Sequence, residues 1–460
     1  MVSDIPFGFG LPKDPDDNDK PDQPAGGSGD EANPFAALFG ASGMSGADFG
    51  AALQRFGQLM STSSGPVHWD LAHDTARQVV ASSGDRSVTP GEQAAVAEAA
   101  DIAELWLDDA TALPRTSASP KVWSRAEWVE ETLPRWKSVI APLAERMASA
   151  SADSLPGQIP DEMRAMAGPM LGIVGQMSGV MFGGQVGQGL GALASEVLTS
   201  TDVGLQLAPR GVLALLPQNI AEFGEGLGLP DDQVRIFLAL REAAHVRLYE
   251  HAPWLTTRIE GAIAEYASGI TVDVPGIEQA LSGVDPTHPE AIAELMSSGV
   301  FEPPATPEQQ AALARLELVL ALVEGWVDDV TSAAANGRLP SAAALHETMR
   351  RRRGSGGPAE RTFETLVGLQ LRPRRLREAS AMWHTLGERT SITERDRYWD
   401  HPDLLPDEDA LTNPESLLTA TTGTDWDISA LDDAGDAPES DGPAEDGRTG
   451  DGTAGGSSGT

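Results

Sequence analysis

Along most of the chain apolar residues recur at spacings of three and four, and the strict alternation of a half-buried strand is nearly absent. The clearest helical stretch is residues 230–249, where Val234, Leu238, Arg241, His245 and Leu248 share one stripe. Glu242 sits at the edge of that stripe, one turn before His245. Asp231 and Asp232 suit the positive end of such a helix, and Pro253 closes it. Three further helix starts carry reciprocal capping pairs: Thr89 with Glu92, Ser124 with Glu127, and Thr306 with Gln309. The first opens an Ala-rich helix running towards Trp106. Residues 318–323 are apolar on nearly every side, which predicts a buried helix. Residues 270–274 read as a short strand, and there is no internal repeat. The pattern predicts a mostly α fold with little β.

From Ala165 to Ser195 runs a stretch of 31 residues without a charge, enough to cross a bilayer. It contains Gln176, Gln185 and Gln188 and lacks flanking basic clusters or an aromatic belt, so no membrane span is expected. Its glycines, several at small-xxx-small spacing, predict close helix contact instead. Two buried helices broken near Gly183 and Gly184 are the expected arrangement.

Residues 11–33 and about 433–460 are Pro, Gly and acid with scarcely any apolar content, and are expected to be disordered. The organisation expected is an arm over 1–45, one large helical domain over 46–420 and an acidic tail over 421–460. A division of the domain near residue 155 is the alternative. The net charge of −37 repels phosphate backbones and anionic lipids, so neither nucleic acid nor a membrane surface is an expected partner. With no cysteine, disulfides, thiol nucleophiles and thiolate metal sites are excluded. The first residues lack a basic and then apolar leader, so cytoplasm is the expected compartment. Arg350 to Arg353, with Arg372, Arg374, Arg375 and Arg377, make a local basic region. A solvated loop is the expectation there; docking of an anion, an acidic partner or the chain's own tail is the alternative.

The polar groups on the 230–249 stripe need partners, because burial without them is costly. In a zincin helix, histidines at i and i+4 bind zinc on one face, and the Glu after the first His polarises the metal-bound water. Here Glu242 and His245 occupy the later positions, and Arg241 stands at the first. A guanidinium does not deprotonate in a protein and cannot ligate zinc. Two readings stay open: an incomplete metal site, or a buried Glu–His–Arg hydrogen-bond network. Glu324 would enter the interior from the apolar helix, so it must be protonated, paired with a cation such as Arg241, or metal-bound. Asp328 lies one turn on, at the spacing of an outer partner. Glu242, His245 and Glu324 are therefore expected to converge.

Residues 240–248 with His251 to Leu255, Glu324 to Asp328, Leu366 to Leu369, and the early Pro6 to Gly10 resemble a bacterial zincin-like family described as hydrolases or zinc-dependent metalloproteases. The resemblance spans roughly residues 65–410. It implies a largely helical zincin-like fold, with Glu242 as the catalytic Glu, and His245 and Glu324 as ligands of a zinc ion. His251, six residues after His245, has the metzincin spacing of a substitute ligand, although Leu248 stands where the turning Gly belongs. The function expected is a metallohydrolase acting on peptide or amide bonds. The alternative is a catalytically inactive zincin-fold pseudoenzyme that binds a protein or peptide partner.

Overall fold

The computed structural model describes residues 65–116, 119–153, 161–269, 306–354 and 375–422. Its helix starts follow the local chemistry. Helix α1 (Trp69–Ser83) is capped by the His68 ring, which accepts from the Leu71 N–H at 3.1 Å. Helix α2 (Pro90–Leu107) opens on the complete Thr89–Glu92 capping box. After strand β1 (Lys121–Val122), the Ser124–Glu127 pair opens α3 (Arg125–Asp153) in the same reciprocal way, at 2.7 and 3.2 Å. Then come α4 (Asp161–Ala194), β2 (Ala214–Leu215), α5 (Pro217–Gly224), α6 (Asp231–His251) and α7 (Trp254–Ser268). Helix α8 (Pro307–Ala335) starts at the Thr306–Gln309 box. It is followed by α9 (Ala342–Gly354), α10 (Leu376–Arg389), α11 (Ile392–Asp396), two 3₁₀ turns and α12 (Glu408–Thr412). A second unit begins at Glu415, and its described part is α13 (Glu415–Thr422). The fold is mostly α, as expected. The expected arm, the tail beyond residue 422 and the strand at 270–274 lie outside the described residues.

Helix α6 is the centre of the packing. Helices α2, α5, α8 and α9 and strand β2 all pack on it, while α7 and α10 cover other sides of α8. Every residue from Phe237 to Tyr249 is buried, so α6 has no solvated face along that length. Residues 318–323 behave as expected except at the first position: Val319 to Val323 and Trp326 are buried in α8, and Leu318 is half-buried. Each such aliphatic or aromatic side chain contributes about 1.5–3 kcal/mol by leaving water. The only paired strands among the described residues are β1 and β2, parallel, with Lys121 opposite Ala214 and Val122 opposite Leu215. They tie the chain before α3 to the chain before α5.

The glycine-rich run departs from expectation in two respects, the first being that it is not buried throughout: Ser178 and Met181 are exposed. The second is that it forms a single helix, α4, with no break at Gly183–Gly184. Two glycines weaken a helix by about 1 kcal/mol each relative to Ala. The contact made by α1 along the Gly179, Gly183, Gly187 and Gly191 stripe outweighs that. A Cβ on Gly183 would lie 2.5 Å from the His68 carbonyl oxygen, and one on Gly187 would lie 2.5 Å from that of Ala72. Backbone meets backbone here: the His68 N–H donates to the Gly179 carbonyl at 3.0 Å. Ala72 and Ala76 fill the α1 side without any exposure. Among the described residues, no helix is long and apolar enough to cross a membrane.

Candidate functional site

Because α6 is buried all round, its polar side chains must find partners inside the protein. Arg241 and His245 point to α8, where Glu324 receives both. Arg241 Nη2 donates to Glu324 Oε2 at 2.8 Å, and His245 Nε2 stands 3.3 Å from Oε1. A second guanidinium reaches the same carboxylate: Arg353, on the last turn of α9, donates through Nη2 to Oε1. None of these four residues is more than 6% exposed. Burial alone would raise the Glu324 carboxyl, but Arg353, His245 and Arg241 outweigh it and hold it well below the usual range. The other nitrogen of His245, Nδ1, lies 2.9 Å from the Arg241 carbonyl oxygen. One turn on, Tyr249 donates to the Gly204 carbonyl at 2.7 Å, and burial, reinforced by Glu324, pushes its phenol up.

Glu242 faces a different set of groups. Its carboxylate accepts from the Ser200 hydroxyl, from the Thr201 hydroxyl at 2.5 Å and N–H at 3.3 Å, and from the Ala214 N–H at 3.4 Å. It makes no hydrogen bond to His245 or Glu324. The expected three-way convergence is therefore met by His245 and Glu324, with Glu242 committed to the turn at 200–201 and to β2. The helix alone does not separate them, since positions 242 and 245 lie only about 60° apart around its axis; the hydroxyls of Ser200 and Thr201 and the Ala214 N–H draw the carboxylate to their side. Glu242→Ala should leave two hydroxyls and two backbone N–H groups without their acceptor in a dry interior. We expect a loss of about 2–4 kcal/mol in urea unfolding and faster proteolysis between residues 197 and 213. Unchanged stability would show that the carboxylate does not hold this turn.

Further along α8, Asp328 accepts from Arg350 Nη2 at 2.7 Å and from Ser380 at 2.8 Å, and its other oxygen lies 3.2 Å from His346 Nδ1. Asp329 pairs with Arg395 at 2.9 Å. The expectation of a solvated loop at Arg350 to Arg353 is overturned. This run is the end of α9, with Arg350 on Asp328, Arg352 on Asp202 at 3.2 Å, and Arg353 on Glu324. The buried carboxylates on α8 supply the reason, since each costs several kcal/mol without a cation. His251 ends α6 and its Nε2 lies 3.0 Å from Asp400 Oδ1, part-exposed. Sequence reading placed Arg353 in a basic run without tying it to Glu324, and it did not single out Ser200 or Thr201. A signal for Arg353 was present: arginines at 350 and 353, three apart, and carboxylates at 324 and 328, four apart, each span about one helical turn and can face each other on adjacent helices.

Zinc requires three protein ligands in a catalytic site, at about 2.0–2.1 Å for nitrogen. His245 Nε2 and Glu324 Oε1, 3.3 Å apart, have the separation of two ligands on one tetrahedral ion. A third is missing: among the described residues, no three His, Asp or Glu side chains stand together as a metal needs. Arg241 and Arg353 hold the remaining approaches to Glu324. The described residues therefore do not fit a zinc ion.

A buried helix carrying Glu242-Ala243-Ala244-His245, met by a glutamate from a later helix in an almost wholly helical domain, defines a zincin-like protein. The sequence profile of the zincin-like metallopeptidase family matches residues 67–418, and the chain belongs to that family. Among solved structures it is similar to a protein of Chloroflexus aurantiacus provisionally described as a hydrolase with a novel fold. The two share 21% identity and a TM-score of 0.53 over 78% of this chain and 99% of the other, a likeness of fold. No protein of curated function matches the chain.

Proposed function

We propose that this chain is a zincin-fold protein whose centre no longer performs metal-dependent hydrolysis, and that it works in the cytoplasm as an interaction module for a protein or peptide partner. One observation carries this reading. Both oxygens of Glu324, the glutamate that would ligate zinc, are taken by guanidinium groups, Arg241 on one and Arg353 on the other. Arg241 stands where the family motif has its first histidine and supplies the charge that an ion would bring.

A second reading, a metallohydrolase acting on peptide or amide bonds, is favoured by His245. Its Nδ1 lies against a backbone carbonyl, the arrangement that orients zinc-binding histidines and leaves Nε2 for the metal. On that reading His245 and Glu324 are ligands, Glu242 is the general base, and His251 is a third ligand only if it leaves Asp400. Elemental analysis of gently purified protein separates the two, together with calorimetric zinc titration after chelation. The first reading expects far less than one zinc per chain and no saturable uptake. One tightly held equivalent, with peptide cleavage lost on chelation, would establish the second.

A further inference from the structure

We propose that Arg353 is the resident cation of this centre, so that restoring the motif histidine at 241 does not by itself open a metal site. This rests on the non-catalytic reading above and extends it to a residue outside the motif.

Three observations converge on Arg353. The first is which oxygen it takes. Arg241 engages Oε2 of Glu324, whereas Arg353 engages Oε1, the oxygen that His245 Nε2 also faces at 3.3 Å. An ion shared by His245 and Glu324 would have to meet that same oxygen, and a guanidinium beside it repels any divalent cation. The second is the space it enters. Gly204 has φ +79°, and a Cβ there would lie 2.7 Å from Arg353 Nη2 and 3.2 Å from Glu324 Oε1. The backbone at 204 is thus shaped to admit the guanidinium: Arg353 Nη1 donates to the Asp202 carbonyl at 2.5 Å, and Tyr249 holds the Gly204 carbonyl. The third is anchoring. Arg350 on Asp328, and Arg352 on Asp202 and the Glu196 carbonyl, fix the last turn of α9 on either side. These contacts hold the backbone that carries Arg353 in place beside Glu324. The site is therefore specific for a planar guanidinium, which reaches a carboxylate and a carbonyl at once, and the chain supplies that ligand itself.

The test uses the full-length chain and three variants, Arg241→His, Arg353→Ala and the double substitution. Zinc per chain is measured by equilibrium dialysis and elemental analysis. Thermal unfolding is followed with and without millimolar guanidinium chloride, far below denaturing levels, against sodium chloride at equal ionic strength. Arg353→Ala is expected to melt roughly 5–10 °C lower and to recover with guanidinium but not with sodium. Arg241→His should take up no zinc, and the double variant should take up one equivalent. Zinc uptake by Arg241→His alone overturns the proposal, as does an Arg353→Ala variant that melts like the parent, or a double variant that binds none. Should the alanine variants fail to fold, Arg353→Gln, uncharged and of similar reach, carries the same zinc comparison. Zinc already held by the unaltered chain would instead overturn the non-catalytic reading, so the two failures are distinct.

Discussion

Glu324→Ala is expected to leave most of the protein unable to hold its native state. The substitution removes the one carboxylate shared by Arg241 and Arg353, both buried, and strands two guanidinium groups in a dry interior. Breaking one buried pair costs about 3–5 kcal/mol. Losing the partner of two approaches the whole stability of a typical domain, about 5–15 kcal/mol. Glu324→Gln keeps the volume and one acceptor and should fall between. The same charges fix the pH dependence. Glu324 and Asp328 have folded-state pKa values depressed below their unfolded ones, because the arginine and histidine partners outweigh the effect of burial. A depressed carboxyl contributes stability that is present above the unfolded pKa, about 4, and is lost as the pH falls towards the folded value. The melting temperature should therefore be level above about pH 5 and fall steeply below about pH 4. Glu324→Gln should show a shallower fall. A parent curve that stays level down to pH 3 would count against an ionised centre.

Gly187→Leu should separate α1 from α4. Even a Cβ at this position would lie 2.5 Å from the Ala72 carbonyl oxygen and 2.6 Å from Thr75 Cβ. Neither is the free end of a flexible side chain, so the helices must move apart along the whole glycine stripe. Overpacking of a tight contact typically costs about 1–3 kcal/mol. With Ala72, Ala76 and Val80 also uncovered, we expect at least the upper end of that range. Gly184 is the matched control: on the same helix, a Cβ there meets nothing within 4 Å. Gly184→Ala should be neutral or stabilising by up to about 1 kcal/mol, through helix propensity alone. Equal denaturation midpoints for the two variants would show that the stripe carries no close contact.

Much of the fold was legible because its causes are local. A capping box is closed by residues three apart, so Thr89 with Glu92, Ser124 with Glu127 and Thr306 with Gln309 mark their helix starts before any tertiary contact is known. The burial of residues 319–323 was legible from the same kind of evidence, since almost no face of that helix suits water. The glycine run shows where local evidence ends. Spacing revealed a surface built for close contact, but only the seating of α1 against it decided that α4 runs unbroken through Gly183 and Gly184.

At the candidate site the sequence by itself determined the requirement, and the tertiary structure decided who meets it. A carboxylate at 324 in an apolar helix had to be protonated, metal-bound or paired with a cation, and on that ground Glu242, His245 and Glu324 were expected together, with Arg241 one candidate partner. Which cations arrive depends on the register in which α9 docks beside α8, and that register places Arg350 and Arg353 opposite Asp328 and Glu324. Glu242 was paired with His245 by sequence spacing, yet the turn at Ser200 and Thr201, some 41 residues away, drew it elsewhere. A buried charge announces its need in the local pattern. Its partner comes from a distant segment, whose position is set by the packing of the whole core.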